Sequence, residues 1–301
     1  MFPEDIKKRL IANDALFRYI FVFEQQFDIF PEGEHIGAAI AYQDISELRE
    51  SFLGELIDTL VDWVYSSEKY SDLLEKAINS GKSQSADASE IRRRAMQKFR
   101  KGEDNLLVQG QLGELLLFHF FQRFKGAVPL LRKMPITTSS EHERYGADAI
   151  HYKVDGANNI FILGESKAYT SKYKFGSAFS DALDSILNTY KNHRSELRLY
   201  FHEDFLDKEM DQIAEKFLTN QLENVKMELV SLVLYKETEK LTLNSEAEIK
   251  EQIHRIIEKK FASFDKEKKD LAQNPILGRI TYIVFPVWEF ERLAKEYQDM
   301  L

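Results

Sequence analysis

Apolar and polar positions along the chain switch repeatedly between a period of two and a period near 3.6, the marks of strands and of helices. The first apolar run, FRYIFVFEQQF, predicts a strand, and ELRESFLGELIDTLVDWVY after it keeps helical spacing through Phe52, Leu53, Leu56, Ile57, Leu60, Val61 and Val64. Residues 79–90, NSGKSQSADASE, are small and polar without periodicity and predict a linker. From residue 89 a helical pattern runs to about 124, with a break near Gly102. Its second half, QLGELLLFHFFQRF, is apolar nearly all round, as in a helix buried on most faces. A hairpin over 144–169 is expected next, then a helix in SAFSDALDSILNTYKNH, a strand in ELRLYFHEDF, a helix over 206–222 and the strand KMELVSLVLYK. Ser245 to Glu248 has the S-x-x-E form of a capping box opening a helix to about residue 270. ILGRITYIVFPVW predicts a last strand and 289–301 a last helix. Strands alternating with helices imply an α/β layer arrangement.

Composition narrows the setting. With 301 residues, 44% hydrophobic and 30% charged, the chain can form one large domain or two modest ones. It has no Cys, which excludes disulfides, thiolate metal sites and a Cys nucleophile and fits a cytoplasmic protein. No stretch has the length and apolarity of a signal peptide or a membrane span, so neither secretion nor membrane insertion is expected. The net charge of −9 argues against a surface that binds nucleic acid everywhere, yet the charge is segregated. Residues 91–101, IRRRAMQKFRK, carry six basic groups and no acid, whereas 202–215 carry six acids and one Lys.

The hairpin holds the chemistry. RYGADAIHYKVDGANNIFILGESKAY has Asp148 opening its first apolar run and Glu165 and Lys167 closing its second. Alternation puts Glu165 and Lys167 on one face with Phe161 and Leu163. If the loop pairs Val154 with Ile160, Asp148 falls opposite Ser166 with its side chain on the other face. A four-residue loop, DGAN or GANN, instead sets Asp148 opposite Glu165 or Lys167, with all three groups together. The even loop also groups Ile150, Tyr152 and Val154 with Phe161 and Leu163 as a buried face, and is the register expected.

Two carboxylates and an ammonium so placed suit phosphoryl chemistry. Asp and Glu are hard oxygen ligands for Mg²⁺ or Mn²⁺, which binds a scissile phosphate and acidifies a bound water. Lys167 can orient that water or offset charge developing on the phosphoryl group. A third acid, Glu114, lies within LGELLLFHFF, where an unpaired charge is costly and a cation or metal partner is expected. The plainer alternatives are a solvated strand end or ion pair for Glu165 and Lys167, and a partner Lys or Arg for Glu114.

A buried-helix carboxylate, then G-x-D leading into a strand, then E-x-K leaving the next, then a helix: this order resembles the core of the PD-(D/E)xK nuclease superfamily. The resemblance implies an α/β fold with a restriction-endonuclease-like core (αβββαβ) over residues 90–235. An N-terminal α/β extension over 1–89 and a C-terminal helix-strand-helix over 236–301, completing or flanking the core, are then expected. Asp148 takes the place of the motif's Asp, Glu165 that of its variable acid and Lys167 that of its Lys, while Glu114 matches the acid often found on the first core helix. The motif's Pro is absent from YGAD. The Gln motif of the RecB-like branch is also missing, FGSAFSDALDSI offering Ser177, Ser180 and Asp181 instead.

More narrowly, GELLLFHFF, RYGADAIHY and GESKAYTSKYKFGSAFSDALDSI together resemble the HamA family, the nuclease subunits of the Hachiman anti-phage defence system, most densely over 105–205. That resemblance implies a Mg²⁺-dependent endodeoxyribonuclease and defence effector. An ATP-dependent helicase partner of the HamB type would restrain it and release it when infection exposes unusual DNA ends or single strands.

Arg92, Arg93, Arg94 and Lys98, with Lys172 and Lys174 beyond the second strand, are candidates for contact with a phosphate backbone. The alternative is a solvated basic face, or one that pairs with the acidic segment. His119 and His151, set among Phe and strand residues, fit packed and hydrogen-bonded roles better than catalytic ones. With no G-x-x-x-x-G-K-[ST], any use of ATP belongs to a partner. The rival to an enzyme is a non-catalytic interaction or scaffold subunit whose acids bind a metal or a protein without cleavage.

Overall fold

In the computed structural model, residues 8–11, 13–27, 33–79, 84–99, 105–131, 147–169, 175–200, 208–262 and 274–301 are described. The strands β1 (Ile20–Phe27), β2 (Gly33–Ile40), β5 (Val128–Leu131), β6 (Ala149–Asp155), β7 (Asn158–Tyr169), β8 (Val225–Glu237) and β9 (Ile280–Trp288) build one sheet in the order β1-β2-β9-β8-β7-β6-β5. The short β3 (Tyr42–Gln43) and β4 (Ser46–Glu47) pair apart from it. Strands β2, β9, β8 and β7 run parallel, while β1 at one edge and the β5-β6-β7 meander at the other are antiparallel.

Helices cover both faces, and strand alternation sends side chains to two separate cores. Phe161 and Leu163 of β7 join α7 (Phe175–Tyr200), α8 (Lys208–Leu218) and α9 (Glu246–Ala262) in one core. Ile160 and Ile162 join the other, built from α1 (Asp14–Phe17), α2 (Arg49–Asp58), α3 (Leu60–Val64), α6 (Asn105–Lys125) and α10 (Phe290–Met300). Helix α4 (Ser67–Ile78) and α5 (Gln84–Met96) pack on one another beside α3. Among the described residues no helix is long and apolar enough to cross a membrane.

The mixed α/β class expected from the alternation is the one observed. From α6 onward the order is helix, three antiparallel strands, helices α7 and α8, then a strand parallel to the last of the three. The N-terminal β1 and β2 and the C-terminal β9 belong to this same sheet, Ile36 of β2 pairing with Ile283 of β9. The sheet therefore runs across the boundaries expected at 89 and 235. The Ser245 cap is present, its hydroxyl accepting from the Glu248 N–H at 3.3 Å.

Other elements differ from expectation. Most of the expected linker is α5, because its Ala and Glu are strong helix formers and Ile91 and Ala95 bury its inner face. The helical pattern expected over 89–124 with a break near Gly102 is two helices, α5 already beginning at Gln84 and ending at Met96 and α6 beginning at Asn105, with Gly102 itself outside the described residues. The segment ELRLY is helical rather than extended. It continues α7 without a Gly or Pro to stop it, and Leu197 keeps the buried stripe. The helix expected over 206–222 spans Lys208–Leu218. Before β9, Pro275–Arg279 forms a 3-10 turn. The edge strand β5, only four residues long, has too little pattern to be recognised.

Helix α6 packs on β7 at two glycines, Gly113 on the helix and Gly164 on the strand. A Cβ on Gly164 would overlap the Phe121 ring and stand 3.0 Å from Leu117 Cδ2, and one on Gly113 would press on the Ser166 side chain. Gly164→Ala should therefore force apart a packed interface, at a cost of about 1–3 kcal/mol. A thermal melt should show a clear fall in Tm, whereas Gly54→Ala, with open space around its Cβ, should not lower it.

Candidate active site at the ends of β6 and β7

The register of the β6–β7 hairpin decides whether its charges meet. Asp155 pairs with Asn158 across a two-residue turn in which Gly156, at φ +57°, takes the left-handed backbone that an ordinary residue disfavours. Val154 pairs with Asn159 and Ala149 with Gly164, so Asp148 stands across from Glu165. This is the DGAN alternative. The ladder continues past β6: the Asp148 N–H donates to the Gly164 carbonyl at 3.0 Å, and its carboxyl Oδ2 accepts from the Ser166 N–H at 2.9 Å.

Glu165 is 3% exposed in the middle of the sheet. Its Oε1 accepts from the Thr189 hydroxyl at 2.5 Å and its Oε2 from the Ser185 hydroxyl at 3.0 Å, both on α7. The Lys167 ammonium lies 3.8 Å from Oε2 on the same face and stays 37% exposed, so it marks where the site opens to solvent. Burial, and then the charge of Asp148, push the Glu165 carboxyl up to about 8, against the opposing effects of Thr189, Lys167 and Ser185.

Helix α7 is the element that holds these groups. Ser185 and Thr189, four apart, share a stripe with Glu196 seven residues further, at 3.6 residues per turn. The Glu196 carboxylate accepts from the Ala147 N–H at 3.0 Å, pinning the backbone just before Asp148. On the neighbouring strand, Ser231 pairs with Glu165 and is 1% exposed, its hydroxyl without a hydrogen-bond partner among the described residues. None of Ser185, Thr189, Glu196 and Ser231 was singled out by sequence. The available signal was hydroxyls at i and i+4 on a helix face otherwise filled by Phe179, Ala182, Leu183 and Ile186.

The remaining candidates lie elsewhere. Glu114 is half-buried on α6, on the opposite face of the sheet, and its charge acts on the buried hydroxyl of Tyr297. It follows Gly113, which touches Ser166, but the structure does not bring it together with Asp148 and Glu165. Arg92, Arg93 and Arg94 are exposed on α5. Arg92 pairs with Asp58 at 2.5 Å and Arg94 with Glu90, so much of this strip is neutralised locally. Burial lowers the pKa of Lys98. The strip belongs to the α6 side of the sheet, away from the face of Glu165. Lys172 and Lys174, with Ser177, lie outside the residues whose side chains are described.

Both histidines are packed. His119 is fully buried, which lowers its pKa to about 3. It lies 3.2 Å from the Asn13 amide through Nδ1 and 2.7 Å from the Thr59 hydroxyl through Nε2. His151 Nδ1 donates to the Ala127 carbonyl at 3.0 Å, with Phe118 and Phe121 edge-on to its ring.

Among the described residues no three His, Cys, Asp or Glu side chains converge on one point. Asp148 and Glu165 are two carboxyls in a low-dielectric setting with one ammonium nearby. A Mg²⁺ or Mn²⁺ ion held by one or two carboxylates and otherwise by water or phosphate fits that donor set.

The buried acid makes stability depend on pH. Its folded pKa, near 8, exceeds the unfolded value of 4.5, so the folded state holds a proton that the unfolded chain has lost. The contribution is full below 4.5 and disappears as pH rises through 8. His119 acts in the opposite sense, but only below its unfolded value of 6.5. Between pH 6.5 and 8, with chelator present, Tm should therefore fall as pH rises, and Glu165→Gln should flatten that part of the profile. An unchanged slope in the variant would remove Glu165 as its source.

No curated protein matches the chain. The sequence model of the HamA family matches residues 19–301, which takes in every strand of the sheet, the acid pair and Lys167. The chain belongs to the HamA family.

Proposed function

We propose that this protein is a divalent-cation-dependent DNA nuclease and the effector of a Hachiman-type anti-phage defence system. Membership of the HamA family points to the defence role. The observation that carries the chemistry is the convergence of Asp148, Glu165 and Lys167 on one face where β6 begins and β7 ends.

In this reading Asp148 and Glu165 hold Mg²⁺ or Mn²⁺, and the bound ion supplies Lewis-acid stabilisation to a phosphodiester. Glu165 brings a carboxylate fixed by two hydroxyls, so little ordering is left for the moment of binding. Lys167 sets a partly exposed ammonium within a salt-bridge distance of that carboxylate. There it can offset negative charge on the phosphoryl oxygens and hold an attacking water by its N–H groups. The two carboxyls carry the proposal without Glu114.

The path of DNA follows from charge. A chain of net charge −9 repels a phosphate backbone except where cations are local. Arg92 and Arg94 are paired with acids away from the site, whereas Lys167 opens to solvent beside Glu165 and is followed in sequence by Lys172 and Lys174. We place the DNA along that end of β7. Restraint by an ATP-dependent helicase partner belongs to the same proposal and is supported by the family and by the lack of a phosphate-binding G-x-x-x-x-G-K-[ST] loop in this chain.

A cleavage assay on plasmid and linear DNA, with the protein alone and with its helicase partner, tests the reading. Cleavage should require Mg²⁺ or Mn²⁺ and stop with chelator. Lys167→Ala and Glu165→Gln should each lower the rate by about 100-fold or more while Tm moves by only a few degrees. Cleavage that survives chelation, or wild-type rates in both variants, would sink the assignment. Metal binding without cleavage under every condition would favour the scaffold reading instead.

A further inference from the structure

The stripe of hydroxyls on α7 has a role that packing alone does not explain. Thr189 is 4% exposed on a helix face shared with the buried Ala182 and Ile186, where Val or Ala would fill the same space without a polar atom to satisfy. Its hydroxyl is spent on Glu165 Oε1, and that of Ser185, one turn earlier, on Oε2. Each carboxylate oxygen thus gives one of its two lone-pair directions to α7 and keeps the other. Two bonds from one rigid helix fix both the rotation of the carboxyl group and the distance of its free lone pairs from Asp148 and Lys167. A single bond would leave the group free to turn about it.

We propose that Ser185 and Thr189 are positioning residues that hold the Glu165 carboxylate in the orientation a divalent cation requires. The inference rests on reading Asp148 and Glu165 as the cation-binding pair. Ligands turned by outer hydrogen bonds bind more tightly because the ordering is already made, and removing such a partner typically weakens metal affinity by about 10- to 100-fold. Ser231 provides an internal comparison. It is beside Glu165 on β8 and equally buried, but its hydroxyl makes no hydrogen bond among the described residues.

The test measures Mn²⁺ binding to the protein without DNA, by titration calorimetry and by the loss of free Mn²⁺ signal in electron paramagnetic resonance, with Tm as a fold check. Five variants are compared with the wild type: Glu165→Ala, the double Ser185→Ala/Thr189→Val, the hydroxyl-keeping Ser185→Thr and Thr189→Ser, and Ser231→Ala. The double variant should bind Mn²⁺ about 10- to 100-fold more weakly. The two hydroxyl-keeping variants and Ser231→Ala should stay near wild type. Wild-type affinity in the double variant, beside lost affinity in Glu165→Ala, overturns the inference and leaves the site reading intact. An equal loss in Ser231→Ala, or no recovery in the hydroxyl-keeping variants, overturns it in favour of general packing. If the wild type itself binds no Mn²⁺, or Glu165→Ala binds as the wild type does, the cation site falls and the inference with it. Should the double variant fail to fold, Thr189→Val alone, nearly isosteric, carries the same comparison.

Discussion

Two carboxyls facing each other across an antiparallel ladder are costly, since like charges directly opposite repel and both lose water on burial. Asp148 and Glu165 are in that position, and much of their surroundings offsets the cost. The Ser166 N–H, two α7 hydroxyls and one ammonium all point at them. What keeps them opposed is the register. Ile150 and Tyr152 must face the same core as Phe161 and Leu163, and a slip by one residue would turn every side chain of β6 over. Burial of apolar groups along the hairpin thus holds together a charged pair that would otherwise separate.

The same division by face explains why the polar helix lies on one side only. On the α6 side, the layer at Gly113 and Gly164 is filled by the side chains of Leu117, Phe121, Ser166 and Leu234. On the α7 side, the helix presents Ser185, Thr189 and Glu196. The parallel run of β7, β8 and β9 carries the C-terminal ends of three strands to one edge of the sheet, the usual place for a binding crevice in an open parallel sheet. Lys167 emerges there.

Much of this was readable in the sequence because it depends on periodicity and parity. The hairpin, its even turn and the meeting of Asp148, Glu165 and Lys167 follow from alternation and from a Gly suited to a tight turn. Ser185, Thr189 and Glu196 were not readable, because their meaning lies in a contact between a helix and strand ends up to about fifty residues apart in the chain. A hydroxyl on a helix carries no local sign of its partner. The segment ELRLY misleads for the reverse reason: its apolar residues alternate as in a strand, while the preceding helix simply continues through it. Glu114 was expected in a nearly all-apolar helix, but identity alone does not say toward which end of the sheet a residue leans. The structure sets it beside Tyr297.

Charge patterning misleads in a related way. The run IRRRAMQKFRK is the densest basic stretch in the chain, yet density along sequence is not density in space. In the fold Arg92 meets Asp58 and Arg94 meets Glu90, and the helix stands behind the α6 layer. A phosphate there would have to displace acids already bound, giving up one ion pair for another, so little net attraction remains. At the β7 end the balance differs. The ammonium of Lys167 shares its face with a carboxyl pair that a divalent cation would neutralise, and such an ion would make this point of an acidic protein attractive to phosphate. If the site hydrolyses phosphodiesters as proposed, cation loading and substrate attraction are then one electrostatic event, and an acidic chain needs no extended basic surface to act on DNA.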